Sequence, residues 1–261
     1  MTSVVTGAQF AMNVQNIRSF CVEQQIPISP LFASKLQGDQ FDFVVEIVSH
    51  TVNLARLGIP GAFELVHGLA QADDSNLELD RSFENSLTEA FAVWFLETRQ
   101  GAKIKAVEAR SLPVRSPHAR NPNKSCDLMA EMNSHDIYFE VKDCSLDFGP
   151  SRTTGRRGYT PASDKDTRKW LEKQIKECFN KGANYLIARL PVWESSSCSG
   201  LDAIRQVLCE HEVVSQDCAS VEMPFQIPAW FKGVFLIKRY GHVFVSVTQK
   251  SRIDTSNELP S

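Results

Sequence analysis

Two strand-length runs, Ser125 to Met132 and Asp136 to Asp143, are separated by only Asn133-Ser134-His135. Residues of that kind at that spacing are hairpin chemistry, so two neighbouring strands are specified locally. The second run alternates, with Ile137, Phe139 and Val141 on one face and Tyr138, Glu140 and Lys142 on the other. If Asn133-Ser134 form the loop, Asp127 lies opposite Glu140; if Ser134-His135 form it, Asp127 lies opposite Lys142. Directly paired residues share a face, so either register sets Asp127 beside Glu140 and Lys142. Only an odd-length loop or a bulge would separate them.

Paired Cβ atoms sit roughly 5 Å apart, and two carboxylates at that spacing repel unless a cation lies between them. Mg²⁺, a hard ion that favours oxygen ligands and retains water, is the natural occupant. A neighbouring lysine can orient or deprotonate a metal-bound water and offset charge at a reacting phosphate. On the same reasoning, removing either carboxylate should leave the metal-free melt level or raise it.

The arrangement of Asp127, twelve residues, then Glu140-Val141-Lys142 resembles the PD-(D/E)xK nuclease superfamily. Cys126 stands where that family usually has proline. The resemblance implies an α/β restriction-endonuclease-like core, with a mixed sheet of four or five strands flanked by helices. Asp127, Glu140 and the Val141 carbonyl would hold Mg²⁺, with Mn²⁺ able to substitute, and Lys142 would position the attacking water. A glutamate from the preceding helix is implied too. Glu84 matches best, because Glu84, Leu87, Phe91 and Trp94 share one helical face, and Glu89 is the fallback. Gln174, on the helix after the lysine strand, matches the polar residue that the family offers there. The resemblance covers about residues 81–190.

Around this hairpin, residues 1–80 read as a helical N-terminal region, 81–250 as the nuclease-like domain and 251–261 as a polar, frayed tail. A strong helix is expected from Arg81 to Arg99, with Phe83, Leu87, Phe91, Trp94 and Phe95 forming its apolar stripe and Gly101 ending it. Lys103 to Ala109 alternates weakly as a strand, and the proline-containing stretch from Ser111 to Ser125 reads as a loop. A helix from Lys165 to Lys181 closes at Gly182. Tyr185 to Leu190 is strand-like, Leu201 to His211 helical, and Val234–Lys238 with Val243–Thr248 a terminal hairpin.

The net charge of −3 over 261 residues does not advertise a polyanion-binding surface, so such binding must come from local patches. Arg110, Arg115, Arg120 and Lys124 occur with no acid between Ala109 and Ser125. After the lysine strand, Arg152, Arg156, Arg157, Lys165, Arg168 and Lys169 stand against Asp164 and Asp166 over residues 152–169. Arg120, Lys124, Arg152, Arg156, Arg157 and Gln174 are therefore the candidate nucleic-acid contacts, with DNA expected over RNA. Seven dispersed cysteines without a C-x-x-C pair suit reduced thiols in a cytoplasm. No run of eighteen apolar residues occurs, so no membrane span is expected. A homodimer or larger complex stays open. The rival reading is a noncatalytic nucleic-acid-binding or protein-interaction module on the same fold.

Overall fold

A computed structural model describes residues 7–37, 41–72, 80–109, 112–143, 164–189, 218–238 and 241–249. The chain opens with helices α1 (Gly7–Glu23), α2 (Pro30–Lys35), α3 (Asp42–Arg56), α4 (Ala62–Gln71) and α5 (Asp80–Gln100). Strands β1 (Lys103–Val107), β2 (Leu128–Met132) and β3 (His135–Asp143) follow, then α6 (Asp164–Lys181) and β4 (Tyr185–Arg189). The chain then adds β5 (Cys218–Met223), β6 (Gly233–Lys238) and β7 (Gly241–Gln249).

The strands make one seven-stranded mixed sheet in the order β1-β2-β3-β4-β6-β7-β5. Four or five strands were expected. The sheet is wider because β7 pairs antiparallel with β6 and then accepts β5 as a parallel edge strand. β1, β2 and β3 form an antiparallel meander, and β3, β4 and β6 run parallel. α6 lies in the connection from β3 to its parallel neighbour β4, as such a crossover requires.

The hairpin register is Met132↔His135 and Leu128↔Phe139, the first of the two alternatives above. Asn133 (φ 51°) and Ser134 (φ 64°) are both left-handed, as in the type I′ turn whose twist matches that of the flanking strands.

Strand alternation divides the apolar residues between two faces. Leu128, Phe139, Val141, Ile187 and Phe235 join a cluster that also contains Ile17, Phe32, Val48, Leu69, Phe91 and Phe95. The N-terminal helices and α5 therefore share one core with the sheet. Leu186, Ala188, Val234 and Leu236 face the other way, against Leu171, Ile175, Cys178 and Phe179 of α6. The expected α5 stripe (Phe83, Leu87, Phe91, Trp94, Phe95) is buried throughout, and Gly101 ends the helix at φ 63°. The regions around Arg152, Arg156 and Arg157 and from Leu201 to His211 lie outside the described residues.

Candidate active site

Asp127 lies one residue before β2, and its N–H donates to Phe139 O at 3.0 Å. This extends the hairpin pairing by one step and holds Asp127 beside Glu140 on the face toward α6. Val141 N–H donates to Asp127 Oδ2 at 2.6 Å. Cys126 N–H donates to Val114 O at 2.8 Å, a bond that a proline at this position could not make. The departure from the usual proline thus serves the loop before the hairpin.

Glu140 is wholly buried and Asp127 nearly so. Lys142 Nζ lies 2.5 Å from Glu140 Oε1 and 3.9 Å from Asp127 Oδ2. A second ammonium, absent from the sequence reading, enters from the end of α6. Lys181 Nζ lies 2.8 Å from Glu140 Oε2 and 3.4 Å from Asp127 Oδ1. Each Glu140 oxygen thus faces its own ammonium group, and both lysines also lie within ion-pair distance of Asp127. Burial works against both ammonium groups, but Asp127 and Glu140 outweigh it and hold both pKa values above the ordinary lysine range. Both lysines are therefore cations at neutral pH, so Lys142 is suited to orienting and charge-offsetting work and not to taking a proton.

The α5 carboxylate that feels the charges of the site is Glu89. Burial, then the charges of Asp127 and Glu108, push its pKa up to about 8, with Lys142 opposing and Glu140 adding to the rise. Glu84 is not brought to the site. Its Oε2 accepts from Arg189 Nη1 at 2.8 Å, and that guanidinium also donates to Thr88 Oγ1 at 3.0 Å. Glu84 shares its helix face with buried Leu87, Phe91 and Trp94, yet its own side chain stays 43% exposed. Its partner is the buried Arg189 at the end of β4, which sequence periodicity does not reveal. Burial and Asp127 likewise push Glu140 upward, against the pull of Lys142 and Lys181. Glu108, whose N–H donates to Asp127 O at 2.7 Å, accepts from Ser125 Oγ.

Gln174 is half-buried on α6. It stands four and seven residues before Cys178 and Lys181, and those spacings put all three on one helical face. That periodicity groups Lys181 with Gln174 on one face, but only packing brings that face to Glu140. Of the candidate basic contacts, Lys124 Nζ is paired with Glu177 Oε1 at 2.5 Å. The exposed Arg120 lies over the Phe179 ring, 5.6 Å from its centroid. The loop that carries them is fastened to the end of α6 by Ser116 Oγ donating to Gly182 O at 2.7 Å and by Asn121 N–H donating to Asn180 O at 3.1 Å.

Among the described residues, no three His, Cys, Asp or Glu side chains already converge as a metal cage. The donor chemistry nevertheless fits a hard divalent ion. Glu140 offers two buried oxygens, Asp127 stands beside it, and the cations now facing them are lysine ammonium groups. No family model matches the chain, and neither a curated protein nor a solved structure matches it. No described helix is long and apolar enough to cross a membrane.

Proposed function

We propose that this chain is a divalent-metal-dependent nuclease of the PD-(D/E)xK kind, hydrolysing nucleic-acid phosphodiester bonds, with DNA the first substrate to try. The observation that carries the reading is the convergence of Asp127, Glu140 and Lys142 within ion-pair distance on one face of a hairpin. The run α5-β1-β2-β3-α6-β4, with an antiparallel meander and a parallel fourth strand, supports a restriction-endonuclease-like core. Buried, free Cys21, Cys126 and Cys178 accord with a reducing cytoplasm.

Asp127 and Glu140 would hold Mg²⁺ or Mn²⁺, with the Val141 carbonyl as a further ligand implied by the resemblance. The ion would polarise the phosphate and acidify a water molecule. Lys142, kept charged by the two carboxylates, would orient the attacking oxygen and offset charge as it builds on phosphate. Glu89, whose pKa is raised by burial and by the charges of Asp127 and Glu108, is the α5 acid that feels this site.

The test is incubation of the purified chain with single- and double-stranded DNA and RNA, with Mg²⁺, Mn²⁺ or EDTA, beside the Glu140→Gln variant. Cleavage that needs the ion and disappears in the variant supports the reading. Salt-dependent binding without cleavage would favour the noncatalytic module.

A further inference from the structure

Lys142 and Lys181 divide the four carboxylate oxygens of the site. Lys142 takes Glu140 Oε1 and the nearer approach to Asp127 Oδ2, and Lys181 takes Glu140 Oε2 and Asp127 Oδ1. We propose that Lys181 is a tethered cation that competes with the divalent ion for Asp127 and Glu140 until nucleic-acid phosphate draws its ammonium away. The proposal rests on the metal-dependent reading above.

Three observations carry it. The Lys181 ammonium lies within ion-pair distance of both carboxylates that would hold the ion, 2.8 Å from Glu140 Oε2 and 3.4 Å from Asp127 Oδ1. Its side chain is only 15% exposed, against 31% for Lys142, so its charge is less screened by water. Its backbone is also held in place. Cys126 Sγ contacts Lys181 O at 3.3 Å, and Ser116 Oγ bonds the following Gly182 O. The ammonium can thus withdraw only by side-chain rotation. A cation fixed within ion-pair distance repels an arriving divalent ion, and phosphate is the one substrate group that would exchange for the carboxylates as its partner. Ion and nucleic acid should therefore bind cooperatively, the ion alone only weakly.

The experiment is calorimetric titration of the metal-free protein with Mn²⁺ alone, comparing wild type, Lys181→Met, Lys181→Arg and Lys124→Met. Lys181→Met should bind Mn²⁺ at least about tenfold more tightly than wild type, a change of about 1.4 kcal/mol. Lys181→Arg keeps the cation and should stay weak. Lys124→Met loses the same unit charge at the Glu177 pair and should also stay near wild type. If Lys181→Met does not fold, amine acetylation of the wild-type chain, read peptide by peptide, decides instead. Lys181 should acetylate slowly in EDTA and at least several times faster when saturating Mn²⁺ is added without nucleic acid. Equal Mn²⁺ affinity in wild type and Lys181→Met, or acetylation of Lys181 unaffected by saturating Mn²⁺, overturns the proposal while leaving the metal reading intact. Failure of every variant to bind Mn²⁺ overturns both.

Discussion

Asp127 accepts a 2.6 Å hydrogen bond from the backbone N–H of Val141, so the acid that precedes one strand is fastened to the neighbouring strand between Glu140 and Lys142. This bond and the two lysines reverse an expectation made from sequence. Two bare carboxylates repel, and removing one should help the metal-free fold. Here Asp127→Ala would instead leave a buried N–H unpaired and remove a partner from two partly buried cations. A loss of about 1–3 kcal/mol is expected, with Asp127→Asn losing less because its amide oxygen can still accept. Urea unfolding in EDTA measures both, and a stability gain in Asp127→Ala would contradict the account.

Two carboxyl groups with raised pKa values set the pH response of the metal-free protein. Glu89 is pushed up to about 8 from an ordinary 4.5, and Glu140 is raised as well. Between those limits the folded state holds more protons than the unfolded one, so stability falls as pH rises. Metal-free melting temperature should decline from about pH 5 to pH 8. Glu89→Gln should flatten that decline and melt above wild type at pH 8.

Which glutamate of α5 serves the chemistry is directly testable. Glu84 is committed to Arg189, whereas Glu89 feels the charges of Asp127, Glu108 and Glu140. Glu89→Gln should lower kcat by at least tenfold. Glu84→Gln should cleave within a few-fold of wild type and lose stability instead, since Arg189 is buried. The opposite pattern would return the role to Glu84.

Gly182 is required by its surroundings as well as by its φ of 77°. A Cβ there would come within 2.4 Å of Ala119 N and 2.6 Å of His118 C, both backbone atoms. Left-handed strain costs roughly 1–2 kcal/mol and overpacking about 1–3 kcal/mol, so Gly182→Ala should be strongly destabilised. It should also displace Lys181 and weaken the site, visible as a loss of cleavage below the melting transition.

Arg120 and Lys124 are expected to differ despite their proximity in sequence. Lys124 is neutralised by Glu177, while Arg120 is exposed beside Phe179. In a Glu140→Gln background, Arg120→Ala should weaken duplex binding and reduce the salt slope by about one unit. Lys124→Ala should leave the slope nearly unchanged. Equal effects would mean that the Lys124–Glu177 pair opens to admit phosphate.

The local pattern was enough to place Asp127, Glu140 and Lys142 together, because a two-residue turn and a period of two determine which side chains share a strand face. The same local rules gave α5, with its buried stripe and its glycine stop, and α6 up to Gly182. Sequence periodicity could not show what faces each element from a distant part of the chain. Arg189 claims Glu84 across more than a hundred residues, Lys181 reaches Glu140 from the far end of the crossover helix, and β5 finds β7 at the sheet edge. Each of these is a long-range electrostatic or backbone pairing made possible by packing. Tertiary structure therefore decided that Glu89 joins the acids, and that two ammonium groups stand among them.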